Sequence, residues 1–379
     1  MSIALEARIR ARLTALESDG LFRRLNPPSG IDLSSNDYLG LSADPYVISR
    51  MAAAVEREGC GSTGSRLLRG ERTALSDLEK RFARWKGAEA ALYFNSGYAA
   101  NLAVLSTFPE RGDLILSDRL NHASLIDGIR LGAASKAIFD HADPCAARRA
   151  LDSAACPGHR FLVTESVFSM DGDFAPLAGY AALCRETGAS LIVDEAHAIG
   201  IYGPRGTGLI EAAGIQRDVF LSICPMGKAF GVAGAFVTGA AWAIEYLVQR
   251  ARPIIFSTAA PPSVAAALSA ALDRIEEAPE RRLRVLSLAA CLRGLLADMG
   301  LPVAREGSQI IPILIGGNAR AVAVASALQD DGFDVRAIRP PTVPPGAARL
   351  RVSINAGLDE AVLRCFATAL AEALKKYPA

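Results

Sequence analysis

The chain has 379 residues, 41 Lys+Arg against 40 Asp+Glu, and 51% hydrophobic residues. A formal net charge of +1 leaves no basic footprint for nucleic acid and no polybasic patch for a membrane surface, and high apolar content at so little net charge is not the composition of a disordered chain. At roughly 100–200 residues per domain, the length suggests about two domains, in a compact cytoplasmic protein.

The N-terminal stretch MSIALEARIRARLTALESDG carries Glu6, Arg8, Arg10 and Arg12, so it lacks an apolar signal core and reads as an amphipathic helix. MAAAVERE (51–58) and ERTALSDLEKRFARW (71–85) have helical spacing. From there, short apolar runs alternate with helical patterns. Strands are expected at 90–94, 113–117, 136–139, 161–165, 190–194, 219–223 and 234–238, with helices near 98–107, 122–131, 143–154 and 176–188 between them. Such alternation predicts an α/β fold whose mainly parallel seven-stranded sheet is covered on both faces. The uncharged runs 229–244 and 253–272 are interrupted by Gly231, Gly234, Gly239, Pro261 and Pro262, so they read as buried strands and a core helix, not as membrane spans.

Helices near 262–277 and 280–299 follow, then a strand at 310–315, a helix near 319–330, strands near 334–338 and 349–354, and a final helix at about 358–375. This is a smaller α+β unit, interrupted by the proline-rich loop Arg339 to Pro345. The expected domains are a segment 1–43 packing with the small domain, a large domain 44–275, and a small C-terminal domain 276–379.

Several formal motifs fail on context. Gly59-Cys60-Gly61-Ser62-Thr63-Gly64 spells a dinucleotide fingerprint, but a helical pattern precedes it where a strand is required, so turn or backbone-approach roles fit its glycines better. Asp194-Glu195-Ala196-His197 spells a helicase Walker B segment without any P-loop to serve it. The four histidines lack H-E-x-x-H spacing. The seven cysteines are scattered, odd in number and never in a C-x-x-C pair, so neither a metal site nor a disulfide framework is expected.

Two motifs survive. In SLIVDEAH (190–197) an apolar strand ends at Asp194, which puts a carboxylate at the sheet edge where α/β proteins bind ligands. In CPMGKAFG (224–231) Lys228 follows the next apolar strand. An acid that keeps a pyridinium nitrogen protonated and a lysine that forms a Schiff base are what pyridoxal 5'-phosphate requires. His197 is placed to reach that cofactor's phenolic oxygen. Asn95-Ser96-Gly97-Tyr98 opens a helix after a strand, so the backbone N–H groups of Gly97 and Tyr98 form an anion site. His122 starts another helix, where an imidazole can stack on an aromatic cofactor.

These segments resemble the α-oxoamine synthases, pyridoxal-phosphate enzymes of fold type I. The likeness runs in order through SSNDYLGLS (34–42), NSGYAANLAVL, DRLNHASLIDG, VTESVFSMDGD, VDEAHAIGIYG, MGKAFGVAGAFV, FSTAAPP and IRPPTVPPGAARLRVSINA (338–356). IRPPTVP points to the branch that condenses L-alanine with pimeloyl-CoA or pimeloyl-acyl-carrier protein to give 8-amino-7-oxononanoate in biotin biosynthesis. Sister branches use glycine and other acyl-CoA esters.

The resemblance implies a homodimer with a shared active site. It assigns Lys228 to the Schiff base, His122 to ring stacking, Asp194 to the ring nitrogen, His197 and Ser169 to the phenolic oxygen or its surroundings, and Glu165 to the reacting centre. Gly97 and Tyr98 would hold the phosphate, with Thr258 joining from the other subunit. Arg351 would take the amino-acid carboxylate, with Arg349 as its rival, while Asn36, Arg339 and Thr342 line the substrate side and Arg23 the acyl-CoA entrance. A non-catalytic partner subunit is disfavoured because Lys228 is present. One departure stands out: Pro225 occupies the place of a threonine that bonds the phosphate in relatives, so one such bond is lost unless Ser222, Cys224 or water replaces it.

Overall fold

The computed structural model describes residues 3–378. Its strands, in chain order, are β1 (Ile31–Asp32), β2 (Ala90–Phe94), β3 (Leu114–Asp118), β4 (Ser135–Phe139), β5 (Arg160–Glu165), β6 (Ser190–Asp194), β7 (Val219–Pro225), β8 (Ala235–Gly239), β9 (Ile310–Gly316), β10 (Phe333–Asp334), β11 (Ala337–Ile338) and β12 (Ala348–Ser353). Helices α1 (Ile3–Ser18), α2 (Pro45–Glu58), α3 (Thr73–Lys86), α4 (Gly97–Thr107) and α5 (Ala123–Leu131) are joined by later ones named here by their residues.

The chain divides into two units. The larger comprises Asn36–Ser169 and Asp173–Leu283. The smaller runs up to Ser35, includes Met170–Gly172 and resumes at Arg284. The divisions thus fall at 35/36 and 283/284, where the sequence reading set 43/44 and 275/276, and three residues of the central chain belong with the two ends.

The larger unit is built on a seven-stranded sheet of order β2-β8-β7-β6-β5-β3-β4. The pairings β4–β3, β3–β5, β5–β6 and β6–β7 are parallel, and β8 runs antiparallel to both β7 and β2. Period-2 alternation explains the unbroken apolar runs. Ile115, Val163, Ile192 and Ile223 join a core with α4 and α5 on one face, while Leu114, Leu116, Leu162, Leu191 and Val193 join a second core with Tyr180 and Leu183 on the other. With both faces covered, a charged side chain on a central strand is confined to its ends, and the ends are where Glu165 and Asp194 lie.

The smaller unit holds a three-stranded antiparallel sheet of order β11-β12-β9 and the two-residue parallel pairing β1–β10. The expected strand near 334–338 is two short strands in different sheets. The run 229–244 also differs from expectation: after β8 it opens a helix, Ala241–Arg250, whose buried stripe Ala243, Ile244 and Leu247 becomes visible as a helical period once the pattern is followed to Arg250. Among the described residues, no helix is long and apolar enough to cross a membrane.

Candidate active site

Parallel strands deliver their C-terminal ends to one edge of the sheet, and four candidate residues follow from four strand ends. Glu165 closes β5 and Asp194 closes β6, directly opposite each other in the register. His122 opens α5 after β3. Lys228 lies, half-buried, in the turn between β7 and β8. That turn is closed by Met226 N–H donating to Gly234 O at 2.8 Å, and it needs a glycine at 234, where φ is +110° and a Cβ would stand 2.2 Å from the Tyr93 hydroxyl.

Asp194 is buried and held on both oxygens: Ala196 N–H donates to Oδ1 at 2.8 Å and the Asn101 amide to Oδ2 at 2.8 Å. The other amide hydrogen of Asn101 goes to Ser124 Oγ at 2.8 Å. Ser124 Oγ lies 2.7 Å from His122 Nδ1, and Ser124 N–H donates to the same nitrogen at 3.2 Å. Nδ1 is therefore an acceptor, which leaves the ring proton on Nε2. A polar relay, Asp194–Asn101–Ser124–His122, fixes both the carboxylate and the imidazole. Asn101 and Ser124 carry no assigned role in the sequence reading. The available signal for Asn101 was a lone polar residue on the otherwise apolar inner face of α4.

The electrostatics follow from burial. Burial lowers the His122 pKa, with the Asp194 charge opposing and the Lys228 charge assisting, so the ring stays below its ordinary value. Glu165, 2% exposed, is pushed well above the usual carboxylate range by burial and by the Asp194 charge. The backbone N–H of His122 bonds Glu165 and, with the Lys228 charge, works against that rise, while Oε1 has no hydrogen-bond partner.

His197 is buried, with Nδ1 2.7 Å from the Tyr38 hydroxyl, which also lies 3.1 Å from Asn36 Oδ1, so Asn36 and His197 are brought together through Tyr38, a residue outside every motif-based assignment. Ser169 sits half-buried on a hairpin closed by the Val167–Phe174 bridge. At the start of α4, the Ser96 hydroxyl accepts from Ala99 N–H at 3.1 Å, and no described group accepts from the N–H groups of Gly97 and Tyr98. Pro225 packs against this turn: a Cβ on Gly97 would lie 2.7 Å from Pro225 Cγ. Thr258 is exposed, and its carbonyl accepts from Asn95 Nδ2 of the same chain at 2.8 Å.

In the smaller unit, Arg23 donates to Pro340 O at 3.0 Å, and Arg339 donates to the carbonyls of Gly20 and Phe22. Burial and the Arg23 charge lower the Arg339 pKa, and Thr342 N–H donates to Arg339 O at 3.1 Å, so these three candidates form one cluster. Arg351 is buried on β12, with Nη1 donating to Ser353 Oγ at 2.7 Å. Arg349 is committed elsewhere: it ion-pairs with Asp171 at 2.6 Å and bonds Met170 O and Ala347 O.

A family model described as aminotransferase class I and II matches residues 28–370. An 8-amino-7-oxononanoate synthase of Anaeromyxobacter dehalogenans (strain 2CP-1) is 45% identical over 98% of this chain and 96% of its own length. The chain belongs to the α-oxoamine synthases of this family. Solved members superpose along most of this α-oxoamine synthase. A serine palmitoyltransferase from S. paucimobilis with bound PLP–myriocin has a TM-score of 0.92 at 29% identity, covering 100% of this chain and 99% of its own. An 8-amino-7-oxononanoate synthase from Francisella tularensis has a TM-score of 0.80 at 29% identity, covering 92% and 98%.

The residues present fit the cofactor of fold type I. The larger unit offers a fixed buried acid, an imidazole with a defined tautomer, a lysine amine and two unpaired helix-start N–H groups. Gly97 keeps clear the place that a Cβ would fill, and Glu165 Oε1 is a buried polar atom awaiting a partner. That donor set is the chemistry pyridoxal 5'-phosphate calls for: an acid for the ring nitrogen, an imidazole for a ring face, an amine for the aldehyde carbon and helix-start N–H groups for the phosphate.

Proposed function

We propose that this chain condenses L-alanine with a pimeloyl thioester, giving 8-amino-7-oxononanoate, CO2 and the free thiol, a reaction of biotin biosynthesis. The observation that carries the reading is the relay-held Asp194 at the strand ends it shares with Glu165, His122 and Lys228. When bound, pyridoxal phosphate supplies an electron sink that stabilises negative charge at the α-carbon of the amino acid. The chain does the rest. Asp194 holds a proton on the ring nitrogen, and its own position is set by Asn101 and Ala196. His122 covers one ring face as a neutral imidazole. The Lys228 amine takes the proton from the alanine α-carbon and later returns one there.

Arg351 binds the alanine carboxylate. A planar guanidinium suits that bidentate contact, and its rival Arg349 is engaged by Asp171. The acyl carbonyl carbon bonds to the α-carbon as the thiol leaves, and the carboxylate then departs as CO2. Asn36, Thr342, Arg339 and Arg23 are assigned to the acyl donor, carried by CoA or by an acyl-carrier protein. The working form is a cytoplasmic homodimer in which Thr258 serves the neighbouring subunit's phosphate.

The test is a panel of amino acids and thioesters with products identified by mass. L-Alanine with pimeloyl-CoA or pimeloyl-acyl-carrier protein should give 8-amino-7-oxononanoate. Turnover confined to glycine with acetyl- or succinyl-CoA, or to serine with palmitoyl-CoA, would replace this reading by a sister activity. Lys228→Ala should abolish both turnover and the yellow colour of the cofactor-loaded protein.

A further inference from the structure

His141 follows β4 and stands outside every role assigned above. Its ring is bonded at both nitrogens: Nδ1 lies 2.9 Å from Asp118 Oδ1 and Nε2 lies 2.8 Å from Asp173 Oδ2. Carboxylates only accept, so both ring nitrogens carry protons and the ring is a cation. Its flat face is also constrained, edge-to-face with Phe168 at 4.3 Å and 88°. Burial alone would disfavour that cation, and the two carboxylates outweigh it, raising the pKa to about 10.

Each carboxylate belongs to a segment that presents a site residue. Asp118 closes β3 and shapes the turn leading to His122: its Oδ1 accepts from Leu120 N–H at 2.9 Å, its Oδ2 from Ala142 N–H at 3.0 Å, and its carbonyl from Asn121 N–H at 3.2 Å. Asp173 lies on the hairpin that carries Ser169, where its carbonyl accepts from Phe168 N–H at 3.0 Å and Ala175 N–H donates to Ser166 O at 3.1 Å. The first segment follows β3 and the second follows β5, which pair in parallel, but beyond its strand end the second is a loop with a single bridge, Val167–Phe174. A fixed distance between them needs a tie, and His141 touches both.

We propose that His141 is a positioning residue, a cationic clasp between the His122 turn and the Ser169 hairpin that sets the spacing of the two groups flanking the cofactor ring. The proposal rests on the cofactor reading given above. It differs from ordinary core packing in requiring both carboxylate bonds at once.

The test uses the cofactor-loaded full chain. His141→Ala should retain its fold by far-UV circular dichroism and change the visible circular dichroism of bound pyridoxal phosphate, which reports the asymmetry around the ring. The kcat/KM for alanine should fall about ten- to a hundredfold, the scale of a small misplacement of reacting groups. Added imidazole, which can occupy the vacated space between the two carboxylates, should restore the visible signal and part of the rate. Asp173→Asn, which keeps the shape and removes one charge, should shift the same visible signal in the same direction.

Unchanged visible dichroism and rate in a folded His141→Ala protein would overturn the clasp. So would a loss that imidazole does not relieve and Asp173→Asn does not share. If His141→Ala fails to fold, Asp173→Asn decides alone: a shifted visible signal supports the clasp, and a wild-type signal overturns it. Wild-type protein that takes up no pyridoxal phosphate would instead overturn the cofactor reading, so the two failures are distinct.

Discussion

Glu165 and Asp194 face each other across neighbouring parallel strands, yet burial acts on them differently. Asp194 has hydrogen bonds on both oxygens, whereas Glu165 Oε1 has none, and burial with the Asp194 charge drives the Glu165 pKa well above 4.5. The folded chain therefore holds a proton that the unfolded chain loses above about pH 4.5. Stability falls as pH rises from there toward the folded-state pKa. Glu165→Gln removes that penalty. In the cofactor-free protein, its thermal midpoint should exceed wild type by more at pH 8 than at pH 5, and an equal difference at both values would show that Glu165 is ionised in the folded state. His141 has the opposite dependence. Its folded-state pKa of about 10 exceeds the ordinary 6.5, so its contribution is complete below pH 6.5 and is lost as pH rises toward 10. His141→Gln should flatten thermal stability across that window. Such residues divide by how local their causes are. Lys228, Asp194 and His122 were legible because each follows a strand-like apolar run. Asn101 was not, because its partner Asp194 lies 93 residues away, and neither was His141, whose two carboxylates come from different segments.

At the scale of elements, the turn opening α4 and the end of β7 act as one piece. Ser222 and Cys224 were expected as possible replacements for the phosphate bond lost at Pro225, and the sheet turns both of them away from α4. Leu221 and Ile223 point into the core with α4, so the alternating Ser222 and Cys224 point to the opposite face. There Ser222 bonds Thr238 at 2.8 Å, and burial pushes the Cys224 thiol up to about 12. Pro225 shares the α4 side and meets Gly97 instead. Pro225→Thr keeps a Cβ on Gly97 and adds a hydroxyl. A hydrogen bond to a charged group contributes about 1.5–3 kcal/mol, so the pyridoxal phosphate dissociation constant should fall at least about tenfold. An unchanged constant would mean the hydroxyl does not reach the phosphate. Gly97→Ala should act in reverse, since its Cβ would lie 2.7 Å from Pro225 Cγ and the first turn of α4 must move. Equilibrium dialysis of the cofactor measures both. The main strands were legible because two covered faces demand continuous apolar runs. β1 and β10, two residues each and paired across about 300 positions of sequence, were too short to leave a pattern.

At the scale of the whole molecule, near-zero net charge leaves association to apolar surface. In the larger unit, Leu67 and Leu68 on the turn Arg66–Gly70 are 52% and 85% exposed, and Phe256 is 70% exposed. That turn packs against the helix Arg252–Ile255, which ends at Phe256, so the three belong to one region. The same region is held firmly from beneath: Arg66 forms ion pairs with Glu71 and the buried Glu79, and Gly64 O accepts from Ala259 N–H at 2.9 Å. A rigid segment that exposes several large apolar side chains is stabilised by covering them, at roughly 25 cal/mol per Å² of apolar area buried. Thr258, the residue assigned to the neighbouring subunit's phosphate, lies two residues beyond Phe256, so a shared site of that kind requires the subunit contact to include this region. Sedimentation velocity should find wild-type protein at twice the 39.9 kDa chain mass. Leu68→Glu combined with Phe256→Glu places two charges in that contact, and the variant should sediment as a monomer and lose pyridoxal phosphate on dilution while keeping its far-UV circular dichroism. Active wild-type monomer, or a double variant that stays dimeric with full cofactor, would show that the shared site does not depend on this region.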